Sequence, residues 1–374
     1  MPLPRAKPSE LGLDAERVER LLAFARKQVA DGVTPGVAVA MARHGKVAVC
    51  EAFGNARTEP KPAQAVGSTL WLLYSSTKPL VAAGVWTLIE RGLVRFTDRV
   101  ADVLPEFQAH GKQDITLAQV LTHQAGFPTA KVSQEAYRDH RLLREEVCDF
   151  KLEWPPGAKV QYHSTSAHWV LAALIEALTG KDFRDYLRHE VFEPVGLTGL
   201  FVGVPAQQQH RCADMHDVDP HLAALGDNNS AAYREAGVPG AGGYATAEDL
   251  CGFYQLLVQG GSLNGKRVLS RRMIEYVTRN HTGDRIDEAL RMPMHRGMGV
   301  HVRGETATIR GLGTIAHPAT FGHGGAGTSY SWADPDSGVS FAYLTNRPMP
   351  EPAHSRRIDI VSNLAHACIA EPSL

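Results

Sequence analysis

Residues 74–79, YSSTKP, open a long apolar segment that runs from Leu80 to Arg91 and stops at Gly92. The apolar residues recur at helical spacing, so the segment predicts a buried helix. Ser75 and Lys78 are three residues apart and share one face of its first turn. Burial and the positive end of the helix dipole both disfavour a lysine cation there. A neutral lysine in that place can take the proton of the serine and make it a nucleophile.

The same two residues also have a simpler interpretation. Serine is a common N-cap, and a lysine in the first turn of a helix is often solvated. The spacing S-x-x-K alone therefore favours a structural role, and the rest of the chain has to supply the partners of a catalytic site. The sequence has no G-x-S-x-G elbow, no P-loop and no Rossmann glycine fingerprint after a predicted strand, so this pair has few rivals as the chemical centre.

Length and composition indicate an ordinary folded chain. With 374 residues there is room for two domains or for one large domain with an insertion. Apolar residues make up 44% and charged residues 21%, and 39 Lys plus Arg balance 40 Asp plus Glu. This balance gives no electrostatic reason to expect nucleic acid or an anionic membrane as a partner. The N-terminus shows no signal peptide, and five scattered cysteines favour a reducing compartment, so we expect a cytoplasmic protein.

The order of helical and strand patterns predicts one sheet built from both ends of the chain. We expect a helix over 11–31 and strands over 36–41 and 47–53 near the start. Helices then dominate, and the polar segment 203–237 has the character of a functional loop or lid. The predicted middle helices include 166–179, 183–195, 246–259 and 270–278; the predicted last elements are strands over 297–302, 306–310, 330–333 and 339–345 and a helix over 356–369.

Three stretches could supply partners to Ser75 and Lys78. Tyr162 could act as a base or proton relay if a cation lowers its pKa, although a half-buried loop tyrosine is the simpler interpretation. The glycine-rich segment 321–327 lets a substrate approach the backbone, and an N–H there could join that of Ser75 in an oxyanion hole. Segment 237–244, GVPGAGGY, suits a pocket rim or a structural loop equally well.

A metal site is the weaker interpretation of a polar stretch in the middle of the chain. Its histidines, cysteine and acidic residues fit no ligand spacing that we recognise, and a polar surface loop explains them better. We therefore expect no metal. The residues are His210, Cys212, Asp214, His216, Asp217, Asp219 and His221. His123, in the stretch LTHQAG, is interpreted as a structural hydrogen-bonding residue at a helix end.

Taken together, five stretches in order resemble motifs of the serine β-lactamase and penicillin-binding-protein superfamily. Residues 75–78 (SSTK) resemble its first motif, 162–164 (YHS) its Tyr-x-Asn element, and 323–325 (HGG) its Lys-Thr-Gly element. Residues 121–126 and 240–250 match further recurrent stretches. The chain is most similar to the class C β-lactamase-like carboxylesterases, called family VIII esterases, and the resemblance runs from about residue 11 to the C-terminus.

The resemblance implies an α/β (α+β) fold in which an antiparallel sheet is flanked by helices and carries an inserted helical domain. Residues 1–68 plus 271–374 would form the sheet domain, and residues 69–270 the mainly helical one. It also implies acyl transfer without a cofactor. Ser75 would attack an ester carbonyl, Lys78 and Tyr162 would move the protons, and the N–H groups of Ser75 and Ala326 would bind the oxyanion. Substrate contacts would come from Ser164, His323, Gly324, Gly325 and Tyr244.

Two departures from the family pattern bear on the substrate. Ser164 stands where β-lactamases and penicillin-binding proteins usually have an amide side chain, and His323 stands where they usually have a lysine. Both changes weaken the case for β-lactam or D-Ala-D-Ala substrates and leave ester chemistry intact. The leading hypothesis is thus a serine carboxylesterase acting on a small short-chain or aromatic ester.

Other functions remain open from the sequence. An acyltransferase, a D-specific amidase or peptidase, or a weak β-lactamase would use the same acyl-enzyme. A catalytically silent binding scaffold is disfavoured by the intact Ser75, Lys78 and Tyr162. The natural ester and the possibility of a homo-oligomer are left undecided.

Overall fold

The computed structural model of the protein describes residues 3–218, 220–306 and 311–370. Its last helix packs against its first one. In chain order the α-helices are α1 (Ala15–Ala30), α2 (Lys78–Glu90), α3 (Val100–Val103), α4 (Leu117–Leu121), α5 (His140–Cys148), α6 (Ser166–Thr179), α7 (Phe183–Leu187), α8 (Pro220–Ala223), α9 (Ala231–Ala236), α10 (Ala247–Val258), α11 (Arg271–Val277) and α12 (Ala353–His366).

The strands come mainly from the two ends of the chain. They are β1 (Gly36–Arg43), β2 (Lys46–Arg57), β3 (Ala63–Gln64), β4 (Trp71–Leu72), β5 (Leu200–Val202), β6 (Gly243–Ala245), β7 (Ser262–Leu263), β8 (Lys266–Arg267), β9 (Ile286–Asp287), β10 (Met292–Pro293), β11 (His301–Val302), β12 (Phe321–Gly324), β13 (Tyr330–Asp334) and β14 (Val339–Thr345). Within the described residues, the main sheet is antiparallel and has the order β11-β12-β13-β14-β1-β2-β3.

The main sheet is covered on both faces, and β1 shows how the sequence achieves this. Every residue of β1 is buried. Val37, Val39 and Met41 share a hydrophobic core with residues of α1 and α12, whereas the alanines between them belong to the core that contains α10. Because side chains alternate across a strand, the large residues serve one face and the small ones allow α10 to approach the other.

The middle of the molecule is built around two helices that are buried on nearly every side. Helix α2 is buried from Lys78 to Leu88, and α6 from Ser166 to Ile175. A helix that is apolar all round belongs inside a domain. The indole N–H of Trp86 on α2 donates to the carbonyl of Met298 at 3.0 Å, which ties this helix to the segment that leads into β11. The first residue of α2 therefore lies deep in the protein, next to the sheet.

Most of the elements expected from the sequence are confirmed, with shifted ends. Asp14 caps α1, and Thr116 and Thr246 cap α4 and α10. The single helix expected over 183–195 is wrong, since α7 gives way to a π turn and then to a 3-10 turn with proline in its first turn. Helix α5 was not predicted, and segment 203–237 contains short helices rather than one irregular loop.

The strand expected over 297–302 is reduced to β11. Gly299 adopts a φ of 101°, and the N–H of Met298 donates to Val277 instead of to a neighbouring strand. Both features end a sheet ladder. For the strand expected over 306–310, residues 307–310 lie outside the described part of the chain.

The division into residues 1–68 plus 271–374 and residues 69–270 stays a prediction. Helix α10 lies within the second range, yet it packs on the sheet, where the side-chain amide of Gln255 donates to the carbonyl of Ala42 at 3.1 Å. In the part of the chain that the structure describes, the helices are too short or too polar to cross a membrane.

Asn346 connects the two ends of the chain and provides a test of how the sheet is held. Its fully buried side chain accepts from the N–H of Gly36 at 2.9 Å and donates to the carbonyl of Asn55 at 3.1 Å. Asn346→Ala leaves both backbone groups buried without that partner, so the free energy of unfolding should fall by about 3 kcal/mol. Urea denaturation measures it, with the exposed Gln64→Ala as the control. Equal effects of the two substitutions would contradict the assignment.

Candidate active site

Ser75 is presented by a strained turn directly before α2. Residues Tyr74–Thr77 form a 3-10 turn, and Tyr74 has a φ of 44°. A positive φ is unfavourable for a bulky residue and occurs where the surroundings enforce it. Here the buried ring of Tyr74 is anchored by its hydroxyl, which donates to the side-chain oxygen of Asn228 at 2.8 Å. The result is that Ser75 remains partly exposed while its neighbours on both sides are buried.

Lys78 is fully buried and its amine lies 3.1 Å from the hydroxyl oxygen of Ser75. The same amine donates to the backbone carbonyls of Ser164 at 2.7 Å and Gly240 at 2.8 Å. Burial, followed by the nearby guanidinium of Arg296, holds the pKa of Lys78 well below its usual range. The expectation of a buried lysine beside Ser75 is therefore confirmed, although Ser75 stands on a 3-10 turn and not in the α-helix itself.

Tyr162 lies next to this pair, with two basic groups beside its ring. The amine of Lys78 is 4.9 Å from the ring centroid, and the guanidinium carbon of Arg296 is 5.2 Å from it. The ring of His123 packs against it at 4.9 Å, and the backbone N–H of Tyr162 donates to the carboxylate of Asp287 at 3.4 Å. The ring of Tyr162 is thus held between Lys78, Arg296 and His123.

Strand β12 and the loop after it are hydrogen-bonded to the turn that carries Ser75, through serine hydroxyls that donate to backbone carbonyls. The hydroxyl of Ser76 donates to the carbonyl of His323 at 3.0 Å, and that of Ser329 donates to the carbonyl of Leu73 at 3.3 Å. A Cβ on Gly325 would come within 2.3 Å of the Leu73 carbonyl, so only glycine permits this approach.

The same attachment brings Ser75 and Ala326 to the lining of one pocket. The N–H of Ser75 precedes the first hydrogen bond of its 3-10 turn, in which the N–H of Ser76 donates to Leu73. Ala326 follows β12 in a turn closed by the bond from Gly325 N–H to the Ser329 carbonyl at 2.9 Å. The arrangement agrees with the expected oxyanion hole, whose function stays a prediction.

A pocket of about 170 Å³ opens over Ser75. It brings together most of the residues that the sequence predicted, but the side chain of Ser164 is exposed and outside it, so its predicted substrate contact stays a prediction. A larger surface hollow of about 640 Å³ lies between residues 129 and 153 and contains no predicted site residue. The pocket over Ser75 is lined by Ser75, Tyr162, Leu290, His301, His323, Gly324, Gly325, Ala326, Gly327, Tyr330, His354 and Ile358.

The prediction that Tyr244 contacts substrate is wrong. Tyr244 is fully buried in strand β6, and its hydroxyl donates to the backbone carbonyl of Asn228 at 3.1 Å. The glycine-rich segment before it has a structural role instead. Gly240 accepts from Lys78, and the N–H of Gly243 donates to the hydroxyl of Thr77 at 2.8 Å. This segment therefore holds the start of α2 and does not form the rim of the pocket.

Several residues at the site escaped the sequence analysis because they follow no local pattern. Arg296 and Asp287 form a buried ion pair behind Tyr162. Leu290, which lines the pocket, comes from the same segment. Arg357 of α12 donates to the carbonyl of Gly327 at 2.7 Å and thereby supports the turn that carries Ala326. Only long-range packing brings these residues together.

Three histidines are buried beneath Lys78 and Tyr162. The N–H of His163 donates to Nδ1 of His123 at 3.0 Å, and Nε2 of His163 accepts from the N–H of Phe127 at 3.2 Å. Burial lowers the pKa of His163 to about 4. Burial also holds the pKa values of His123 and His168 well below the usual range. The expectation that His123 has a structural role is confirmed, and the floor of the site is kept neutral.

In the described residues, the side chains of the polar stretch between His210 and His221 do not come together as a group of metal ligands. The one group of candidate ligand atoms within 4.8 Å of one another there is His140, Glu176 and Asp182, which lie on other elements. Asp219 and the side chain of His221 are outside the described part of the chain. The described cysteines Cys50, Cys148, Cys212, Cys251 and Cys368 are free thiols.

Comparison with known proteins agrees with this geometry. The family model described as Beta-lactamase matches residues 21–365. The chain belongs to the Beta-lactamase family. The match covers most of the chain and spans Ser75, Tyr162 and β12, so the superfamily resemblance and the mixed α/β fold with its antiparallel sheet are both confirmed.

Relatives within and around the Beta-lactamase family have different names. Esterase/beta-lactamase LipL of Mycobacterium tuberculosis is 30% identical over 308 residues, which is 74% of this chain and 69% of that protein. A putative D-alanyl-D-alanine carboxypeptidase of Escherichia coli is 24% identical over 383 residues, covering 92% of this chain and 86% of that protein. The crystal structure of a family VIII carboxylesterase has a TM-score of 0.82 and 27% identity, and covers 96% of this chain and 99% of that one. These similarities support assignment of the chain to the serine hydrolases.

Labelling distinguishes Ser75 from its neighbour. Ser76 is fully buried and donates to His323, whereas Ser75 faces the pocket and the amine of Lys78. A fluorophosphonate should form a single covalent adduct, and peptide mass spectrometry should place it on Ser75. Ser75→Ala should abolish the adduct, whereas Ser76→Ala should retain it. An adduct on Ser76 would show that the nucleophile is assigned one residue too early.

The buried histidines predict the pH dependence of stability. Because the pKa of His163 is lowered to about 4 from 6.5, the unfolded chain binds this proton first as the pH falls. Stability should thus be complete above about pH 6.5 and fall towards pH 4, by about 1.4 kcal/mol per pH unit for each such histidine.

Urea denaturation at several pH values within this window measures the slope. His163→Gln should lower the slope by about 1.4 kcal/mol per pH unit, which is the contribution of one proton. The exposed His210→Gln serves as the control. A slope that is unchanged in His163→Gln would contradict the prediction.

Proposed function

We propose that the protein is a serine carboxylesterase that hydrolyses short-chain or aromatic esters through an acyl-enzyme on Ser75. The observation that carries the proposal is the contact of the Lys78 amine with Ser75 and two carbonyls. A neutral amine has two N–H groups and one lone pair. The carbonyls of Ser164 and Gly240 take the two N–H groups, so the lone pair is left to accept the hydroxyl proton of Ser75.

Acylation then requires one proton to reach the leaving alcohol. Ser75 attacks the ester carbonyl as its proton passes to Lys78. Tyr162 lines the same pocket beside the Lys78 amine, so it is suited to deliver a proton to the departing alkoxide. The reverse path activates water for release of the acid. The low pKa of Lys78 makes this possible near neutral pH, since the amine is free to accept a proton.

The developing oxyanion would be stabilised by backbone groups. The N–H groups of Ser75 and Ala326 are fixed by the turn and by the strand that is bonded to it. Donors that are already oriented need no rearrangement as charge develops, which is why such groups lower the barrier. The two glycines Gly324 and Gly325 leave room for the substrate at this edge of β12.

The lining of the pocket favours a neutral ester over an anionic substrate. Of the described residues that line it, none is a lysine or arginine, and its titratable rings are His301, His323 and His354 beside Tyr162 and Tyr330. The nearby cation Arg357 is buried and donates to Gly327. A carboxylate on a β-lactam or peptide would therefore find little direct compensation for its desolvation.

D-alanyl peptide cleavage is the second candidate, because one relative over 92% of the chain is named a putative D-alanyl-D-alanine carboxypeptidase. The name of another relative combines esterase and beta-lactamase. The same acyl-enzyme would serve all three reactions, so the substrate pocket and not the nucleophile decides between them.

Hydrolysis of p-nitrophenyl butyrate tests the proposal. Ser75→Ala and Lys78→Met should each lower kcat by about 10³-fold or more, because each removes the nucleophile or its base. Tyr162→Phe should lower kcat with a small effect on KM. The exposed Tyr276→Phe serves as the control for the last change.

Side-by-side assays then separate the candidates. Turnover of nitrocefin or of a D-Ala-D-Ala peptide should be far below that of the butyrate ester. Peptide turnover equal to ester turnover would replace the proposal with the second candidate. Ester turnover that persists in Ser75→Ala would refute the acyl-enzyme.

A further inference from the structure

Behind Tyr162 lies an ion pair that takes no part in the mechanism above. Arg296 and Asp287 have side chains that are 1% and 0% exposed, and their guanidinium and carboxylate are in direct contact. They lie on the segment between α11 and β11, far in sequence from Ser75, Lys78 and Tyr162. Burying two charges costs several kcal/mol for each ion, so such a pair contributes little to stability by itself. A buried pair next to a chemical centre therefore invites a functional explanation.

Asp287 is an organising acceptor for the wall of the pocket. Its carboxylate accepts from the N–H groups of Tyr162 at 3.4 Å, Ala289 at 3.0 Å and Leu290 at 3.2 Å. It thereby joins the tyrosine to the segment whose Leu290 lines the pocket. Arg296 neutralises this carboxylate and at the same time lies with its guanidinium carbon 5.2 Å from the centroid of the Tyr162 ring.

We propose that Arg296 is a positioning residue that, fixed by Asp287 beside the ring of Tyr162, sets the protonation of Tyr162 and Lys78 so that Ser75 is activated near neutral pH. The proposal rests on the proposed function and deepens it. Arg296 touches no reacting atom. It acts through its positive charge on the two groups that exchange the proton of Ser75.

Among the charged groups near Tyr162, Arg296 is the one that can act as a fixed positive charge. Of the described groups that face it, the amine of Lys78 is the proton acceptor itself, and Asp287 is the anion paired to Arg296. Burial keeps the pKa values of the histidines beneath the site low, so these rings add no charge near neutral pH. The titratable groups on the elements that pack here are Lys78 of α2, His123 after α4, His163 before α6, His168 of α6, Asp287 and Arg296 before β11, His301 of β11 and His323 of β12.

The sign of the effect follows from electrostatics. A nearby cation makes it harder for Lys78 to hold a proton, and Arg296 is a named cause of its lowered pKa, after burial. The same cation favours deprotonation of a phenol. Removing the charge of Arg296 should therefore move the titration of Lys78 towards higher pH. Ser75 would need a more alkaline solution to become nucleophilic.

The experiment follows the rate at which a fluorophosphonate labels Ser75 as a function of pH. In the double variant Arg296→Met with Asp287→Asn, no charge is left buried without a partner. The midpoint of the acidic limb should rise by on the order of one pH unit. Arg296→Lys, which keeps the charge, should restore a midpoint near that of the wild type. Asp287→Asn alone, which leaves Arg296 uncompensated, should move the midpoint to lower pH.

A matched control removes a similar pair elsewhere. Arg184 and Asp182 form an ion pair at 2.9 Å near α7, with side chains that are 11% and 23% exposed. Arg184→Met with Asp182→Asn should leave the midpoint unchanged. Circular dichroism and melting temperature establish that each variant is folded before its profile is compared, and Arg296→Lys decides the question if the double variant does not fold.

The outcomes are distinct. An unchanged midpoint in a folded double variant, or an equal shift in the control pair, would overturn the role of Arg296. A midpoint of Arg296→Lys as high as that of a neutral side chain would also overturn it. Labelling does not require a natural substrate. Parallel assays with p-nitrophenyl butyrate therefore decide the proposed function separately, and lack of ester turnover with a shifted labelling profile would refute only that function.

Discussion

The proposed chemistry depends on two backbone carbonyls that hold the amine of Lys78 against Ser75. Ser164 and Gly240 provide them from segments far apart in the chain, at 2.7 and 2.8 Å. A Cβ on Gly240 would lie 3.1 Å from the Ser164 carbonyl and 3.5 Å from the Lys78 amine, so glycine allows both carbonyls to reach one nitrogen. The strained turn at Tyr74 and the buried start of α2 contribute to the same arrangement. They hold the hydroxyl of Ser75 as the third hydrogen-bonding partner of the Lys78 amine, beside the two carbonyls.

Burial gives the site its reactivity, and it also restricts which charges the site can contain. A buried amine is easier to keep neutral than to keep charged, and the same holds for the histidines beneath it. Arg296 remains charged because a guanidinium does not lose its proton in proteins, and Asp287 is present to pair with it. The proposed site therefore combines an amine whose pKa is lowered, a tyrosine and a buried Arg296–Asp287 ion pair, supported by backbone dipoles. Each of these is oriented before a substrate arrives.

The sequence predicts what is local and misses what is assembled from a distance. The S-x-x-K spacing, each helix cap and the apolar period of α2 each involve residues that are close in sequence, so these features can be predicted from it. Tyr162 could be found because a short motif surrounds it. Arg296, Asp287 and Arg357 have no such signature, because their roles arise only when α12 and the segment before β11 pack against the pocket. Tyr244 shows the opposite error: a tyrosine beside glycines looked accessible, although β6 places it between β4 and β5 in the core.

The separation between chemistry and specificity follows from the same geometry. Ser75 and Lys78 lie at the turn that begins α2, and Tyr162 lies shortly before α6; in the proposed mechanism these three residues carry out the acyl transfer. Another wall of the pocket comes from β11, β12 and α12, where the rings of His301 and His323 stack at 3.9 Å and Ile358 lines the pocket. Stacked imidazole rings and an aliphatic side chain offer apolar surface and no lysine or arginine to an anion. In the proposed mechanism this wall contributes to the choice of substrate, and it can differ between proteins without a change at Ser75, Lys78 or Tyr162.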